Sequence, residues 1–135
     1  MADDVLLNKA DIIENCLRRI DEVYMNTTGN LKDDQTKQDS ILLNLERACQ
    51  AAIDMGMRVV KMRSLGLPKE SRDAFRLMAD SGLIDFDLNR SLQGLVGFRN
   101  TAVHNYKKLD LDIVESVIQN HLVDFEKFIS ICLKL

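Results

Sequence analysis

Apolar residues recur every three or four positions along the chain, and this spacing limits what it can fold into. In the first twenty-odd residues they are Leu6, Ala10, Ile13, Leu17, Ile20 and Tyr24. Such a spacing places them on one face of a helix, whereas a half-buried strand would need strict alternation. Strict alternation of useful length does not occur in the sequence, which has one proline and 46% hydrophobic residues. We therefore predict an all-α protein.

A longer helix is expected after the first one. Segment 26–30 is rich in turn-forming residues and ends the first helix. The second helix is predicted to run from Asp33 or Asp34 to about Met62. Small residues at four-residue spacing let another backbone approach this helix closely, either within the subunit or from a second copy. That row consists of Ala48, Ala52 and Gly56.

Two more helices are predicted in the middle of the chain. Gly66 and Pro68 mark the connection that leads to them. Pro68 is expected to begin a short helix that ends near Gly82, because proline suits the first helical position and glycine often follows the last. Asp85 or Asp87 can cap the helix after it.

The last helix is predicted to begin after Asp110 or Asp112 and to bury one apolar stripe. This stripe consists of Ile113, Val117, Leu122, Phe125, Phe128, Ile129 and Cys132. His121 falls inside it and is interpreted as a packed or interface histidine. Together the segments predict an up-and-down bundle of four long helices and one short helix, in a single domain spanning residues 1–135.

The charge balance excludes several classes of protein. With a net charge of −3 and a pI of about 5.3, the chain has no overall basic character, so any contact with nucleic acid must be local. Its opening, Met1-Ala2-Asp3-Asp4, contains two acidic residues where a signal peptide would be basic, and no apolar run approaches the ~20 residues of a membrane span. A cytoplasmic protein is expected.

The three cysteines, Cys16, Cys49 and Cys132, lie far apart in the sequence, each within a helical apolar pattern. This arrangement has neither the spacing of metal ligands nor that of a disulfide framework. We predict small core residues, and neither a metal site nor a cofactor is expected.

One arginine stands where the helical pattern calls for an apolar residue. On a helix that turns about 100° per residue, Arg99 lies in the middle of an apolar stripe. The stripe consists of Leu88, Leu92, Leu95, Val96, Ala102 and Val103. An unpaired buried guanidinium is costly, so the stripe must open onto a cleft, a partner carboxylate or an anionic ligand.

His104 and Tyr106 follow closely. If the helix ends near Val103 or His104, an extended chain after it places His104 and Tyr106 on one side, where they can line a pocket with Arg99. The alternative is structural. Arg99 would then belong to an intrachain ion pair, and His104 would be a helix-terminal residue favoured by the helix dipole.

The pattern Arg99-x4-His104-x-Tyr106, preceded by Gly97-Phe98, resembles the R-x4-H-x-Y signature of the HepT-type HEPN proteins. These are the toxin halves of bacterial HEPN/minimal-nucleotidyltransferase toxin–antitoxin pairs. The resemblance covers nearly the whole chain. It extends to segments 45–54, 65–75 and 109–114.

The resemblance implies a metal-independent endoribonuclease with Arg99 and His104 as catalytic residues. Their chemistry agrees with this role. When the RNA 2′-hydroxyl attacks, the reaction needs proton transfer and positive charge but no protein nucleophile. A histidine titrates near neutrality and can transfer the proton, while an arginine can hold the phosphate through its planar fork.

The neighbouring residues are assigned supporting roles. Asn100, Lys107 and Lys108 are predicted to bind substrate, Asn100 through a phosphate or by orienting His104, and the lysines by attracting RNA. A helix-terminal cap for Asn100 and a solvated surface pair for the lysines are the alternatives. From the resemblance, Tyr106 is the modification site that receives AMP from a partner nucleotidyltransferase. The alternative is a tyrosine that only packs or stacks on RNA.

The resemblance also implies a homodimer with both motifs facing one cleft. Its partners would be an RNA substrate and a cognate minimal nucleotidyltransferase antitoxin, with no membrane. The alternative function is a non-catalytic subunit that presents nucleotide or substrate to a separate nucleotidyltransferase. Such a subunit would keep an anion-binding Arg99 but need no titrating His104.

Overall fold

The computed structural model describes residues 3–26, 30–104 and 110–135, with only the backbone given for residues 103 and 104. These residues form α-helices and one short 3-10 helix, Leu31–Asp33, and contain no strand. The all-α prediction is confirmed. The α-helices are α1 Asp4–Met25, α2 Gln35–Arg63, α3 Asp73–Asp80, α4 Phe86–His104, α5 Leu111–Asn120 and α6 Leu122–Leu133.

Helices α1 and α2 pack against each other along their length, and one carboxylate joins their ends. Asp3 precedes α1 and accepts hydrogen bonds from the backbone N–H groups of Val5 and Leu6, at 3.0 and 3.2 Å. The Arg58 guanidinium on α2 also donates to it, at 3.2 Å from Nε and 2.7 Å from Nη2. The hydrogen bond from Arg58 holds the pKa of Asp3 below its usual value. Asp3 therefore caps α1 and ties it to α2.

The small-residue row of α2 serves packing inside the subunit. Ala48, Ala52 and Gly56 are all buried. A Cβ atom at Gly56 would lie 3.2 Å from the Cβ of Ala74 and 3.4 Å from the ring of Phe75. Gly56 thus lets α3 approach α2 closely. Because the row is buried inside the subunit, it is not a surface to which a second copy could bind.

Aspartate caps also begin three further helices, and those of α4 and α5 lie at residues that were predicted as candidates. The side chain of Asp34 accepts a hydrogen bond from the backbone of Lys37 at the start of α2. Asp85 does the same for Leu88 in α4, at 2.7 Å. Asp110 precedes α5, and its side chain accepts a hydrogen bond from the backbone N–H of Asp112, at 2.9 Å. Each cap satisfies one of the donors that the first helical turn leaves unpaired.

The predicted start of the short helix at Pro68 is wrong, because α3 begins at Asp73. Asp73 also explains why the helix starts later than predicted. Its carboxylate accepts hydrogen bonds from the backbone of Lys69 and Glu70, at 2.9 and 3.1 Å, and these bonds lower its pKa. The chain after Pro68 therefore forms a side-chain-stabilised turn before the helix starts.

The predicted last helix is divided in two at His121, whose φ and ψ of −120° and −6° interrupt the helical path. Helices α5 and α6 each bury an apolar face of their own. The predicted apolar stripe is therefore not continuous across the break. Ile113 is 52% exposed, whereas Val114 and Ile118 are buried. Within α6 the predicted residues Phe125, Phe128, Ile129 and Cys132 are buried, as expected.

Among the residues that the structure describes, no helix is long and apolar enough to cross a membrane.

The contact between α3 and α6 gives a direct test of the core. Phe75 is fully buried, and its ring meets that of Phe128 edge to face, with centroids 5.4 Å apart and planes at 80°. Phe75→Ala is expected to lower the free energy of unfolding by about 3–5 kcal/mol, measured by chemical denaturation. Phe86 is 65% exposed, so Phe86→Ala is the matched control and should change stability by less than about 0.5 kcal/mol. Equal losses for both variants would contradict this packing.

Candidate active site

Helix α4 carries the predicted site, and most of its apolar stripe is buried inside the subunit. Leu88, Leu92, Leu95 and Val96 are all buried. Helix α4 packs against α2, α3 and α6. The stripe therefore does not need a second subunit to cover it, and half-buried Arg99 lies one turn beyond Leu95, where this buried part ends.

The Arg99 guanidinium is held by two uncharged acceptors. Its Nη1 donates to Oδ1 of Asn100 at 2.8 Å, and its Nη2 donates to Oε1 of Gln50 on α2. Its Nε is buried and has no hydrogen-bond partner among the described residues. Neither acceptor is a carboxylate, so the intrachain ion pair considered for Arg99 is absent from the described residues.

A count of donors shows what the arginine can still bind. A guanidinium carries five N–H groups. In Arg99 two of these are donated to amide oxygens, and the one on Nε is buried. Two N–H groups are left, one on each Nη atom. Because the acceptors are neutral, the positive charge is not compensated by them, and an anion can take both remaining donors.

Gln50 was not predicted as a site residue. It lies in segment 45–54, which carries part of the resemblance, but it is 49 residues away from Arg99 in sequence. The contact depends on how α2 and α4 align, and helical periodicity does not determine that alignment. Asn100 was predicted, and the structure gives it a definite contact. It orients Arg99 from within α4 and is not a helix-terminal cap.

Cys49 lies beside the arginine but is not equipped as a nucleophile. It is buried, and its thiol contacts the carbonyl oxygen of Leu95 at 3.6 Å. Burial raises the pKa of this thiol to about 12, although the charge of Arg99 acts in the opposite direction. Burial likewise raises the pKa of Cys132 to about 12 and that of Cys16 above its usual value. All three cysteines are buried core residues, as predicted.

A family model described as HepT-like ribonuclease matches residues 13–131. The chain belongs to the HepT-like ribonuclease family. The resemblance inferred from the motif is thereby confirmed. Among the curated relatives, the mRNA nuclease HepT of Shewanella oneidensis is 45% identical over 129 residues, which is 96% of each chain.

Solved structures of HepT-like proteins share this fold closely. One is the Shewanella oneidensis HEPN toxin, described as tri-AMPylated and in complex with an MNT antitoxin. It has a TM-score of 0.91 and 45% identity, and the match covers 96% of both chains. Another is a toxin–antitoxin complex with AMP-PNP, with a TM-score of 0.91 and 44% identity over 96% of this chain and 98% of that one.

The HepT-like motif is only partly within the described residues. Arg99 and Asn100 are described with their side chains, and the described part of α4 extends to His104. Of His104 only the helical backbone is described. Tyr106, Lys107 and Lys108 lie outside the described residues, so their predicted roles stay predictions.

The other histidine of this HepT-like chain has a clear structural partner. Of the two interpretations of His121, packed or interface, the packed one is wrong, because its side chain is 44% exposed at the break between α5 and α6. Its Nδ1 lies 3.0 Å from Oδ2 of the buried Asp124. Three residues separate the two along the chain, so the contact joins the break to the first turn of α6. His121 thus acts locally on the helix junction.

Proposed function

We propose that this chain is the toxin of a toxin–antitoxin pair and an endoribonuclease that cleaves mRNA in the cytoplasm. The observation that carries the proposal is the environment of Arg99, a half-buried guanidinium held by neutral amides with two N–H donors left for an anion. The mRNA nuclease activity of the Shewanella oneidensis relative supports it. The whole chain acts as one HEPN domain.

Cleavage proceeds by attack of the RNA 2′-hydroxyl on the adjacent phosphate. The attack creates a phosphorane with extra negative charge, which Arg99 stabilises through its free donors. His104 transfers protons to or from the reacting oxygens. A histidine can do this because its ordinary pKa lies near neutrality.

Three further residues support binding. Asn100 fixes one side of the Arg99 guanidinium and has its amide N–H groups available for a phosphate oxygen. Lys107 and Lys108 attract the RNA backbone to a chain whose net charge is −3. In a homodimer the two motifs face one cleft and double this local positive charge.

The partner is a minimal nucleotidyltransferase that silences the toxin by transferring AMP to Tyr106. The tri-AMPylated HEPN toxin of Shewanella oneidensis, solved in complex with an MNT antitoxin, supports this regulation. The AMP donor and the mRNA substrate are both found in the cytoplasm, which is where we place the protein.

Incubation of purified protein with RNA tests the activity. Cleavage is expected to persist in excess EDTA and to leave 2′,3′-cyclic phosphate ends, identified by mass spectrometry of the products. The described residues contain no cluster of three or more His, Cys, Asp or Glu side chains that could hold a metal ion. The 2′-hydroxyl route needs none. A strict magnesium requirement or products with 5′-phosphate ends would contradict the mechanism. Absence of cleavage would favour the non-catalytic subunit.

A further inference from the structure

We propose that Gln50 is a positioning residue for Arg99. Its neutral amide holds the guanidinium without compensating the positive charge, which stays available for an RNA phosphate. The inference deepens the proposed function and rests on it. It concerns a residue on another helix that holds Arg99 in place. Arg99 remains the group that meets the substrate.

Gln50 is the contact that fixes Arg99 relative to the rest of the fold. Among the described residues, the hydrogen bonds of Arg99 go to Asn100 and Gln50. Asn100 is the next residue in the same helix, so its contact moves with Arg99. Gln50 lies on α2 and joins the guanidinium to a helix in the centre of the bundle. Loss of this contact would free a long side chain to occupy other rotamers.

The orientation of the Gln50 amide is fixed from its other end. Its Nε2 donates to Oδ1 of Asp54 at 3.0 Å, one helical turn along α2. The second oxygen of that carboxylate lies 3.1 Å from Nζ of Lys9 on α1. A carboxylate can only accept hydrogen bonds, so the amide nitrogen must face Asp54 and the amide oxygen must face Arg99. Lys9, Asp54 and Gln50 thus connect α1 and α2 to the guanidinium on α4.

The neutrality of Gln50 has a chemical consequence. A glutamate in its place would have almost the same shape and would form a stronger contact with Arg99, because hydrogen bonds between charged groups are the stronger ones. It would also compensate the charge that a phosphate needs. A carboxylate would thus bind Arg99 more tightly, but it would lose the hydrogen bond that the amide donates to Asp54. An amide suits a site that must hold an arginine and leave it able to bind an anion.

Gln50→Glu is therefore the decisive variant. Its RNA cleavage rate is expected to fall by roughly 100-fold, while circular dichroism shows unchanged helical content, because the donor lost toward Asp54 belongs to an exposed contact within one helix. Gln50→Ala should also lose activity, through misplacement of Arg99. The matched control is Gln119→Glu, which makes the same charge change at an exposed glutamine of α5 whose amide contacts Tyr24. That control should cleave RNA at the wild-type rate.

Binding of a fully 2′-O-methylated RNA, followed by fluorescence anisotropy, separates this inference from the proposed function. Such an RNA lacks the attacking hydroxyl, so the measurement does not depend on cleavage. Weaker binding by Gln50→Glu but not by Gln119→Glu would support the role of Gln50. This holds even if the wild-type protein cleaves no RNA, because a lack of cleavage would overturn only the nuclease proposal. Wild-type cleavage and binding by Gln50→Glu, or an absence of RNA binding by the wild-type protein, would overturn the inference.

Discussion

Arg99→Ala protein is expected to lose RNA cleavage by about 10²–10³-fold, the usual cost of removing a group that stabilises developing charge. The loss should appear in purified protein with unchanged helical content, measured by circular dichroism. Arg99 contacts Asn100 and Gln50 at the end of the α4 stripe, so its removal leaves the buried part of the stripe intact. Expression of the variant should also no longer arrest growth.

His104→Ala is expected to have a comparable effect, about 10²–10⁴-fold, because it removes the group that transfers the proton. A pH profile adds a test. The wild-type rate should depend on a group that titrates near neutrality, and that dependence should vanish in the variant.

Each variant has a control within the same chain. Arg90 is an exposed arginine of α4, nine positions before Arg99, and Arg90→Ala should leave cleavage unchanged. His121 is the other of the two histidines, and His121→Ala should cleave RNA at the wild-type rate. Wild-type cleavage by His104→Ala, or equal losses in the variants and their controls, would remove the catalytic assignment.

Local sequence signals predicted the helices well where local chemistry determines them. Asp85 and Asp110 were each one of two aspartates predicted as caps, and both make the contact, because a cap is a contact within four residues. The break at His121 was missed, since that region contains neither glycine nor proline, the residues that usually mark an interruption.

The site was predictable only as far as it lies in one segment. Arg99 was recognised as anomalous because a charge interrupts a helical apolar stripe. Gln50 could not be recognised, because its contact with Arg99 depends on the packing of two helices that are distant in sequence. The same limit applied to Gly56, whose role was open until α3 was seen to pack on it.

Tyr106→Phe toxin is expected to escape neutralisation by an active nucleotidyltransferase partner. Phenylalanine has no hydroxyl to accept AMP, so growth arrest should persist on co-expression. The expected inhibition has a physical cause at the arginine. A tyrosyl-AMP carries a phosphodiester charge, and the two N–H groups that Arg99 has left are suited to bind it in place of the scissile phosphate. The adenosine would at the same time obstruct the groove.

Intact-mass spectrometry after co-expression measures the modification directly. One or more AMP additions should map to Tyr106 in the wild-type protein and be absent from Tyr106→Phe. The chain has two tyrosines, so Tyr24→Phe is the matched control. The Tyr24 hydroxyl accepts a hydrogen bond from Gln119, at 3.0 Å, and its replacement should leave both modification and neutralisation intact. If an active partner neutralised Tyr106→Phe as well as it does the wild type, AMP transfer to this tyrosine would not be what controls the toxin.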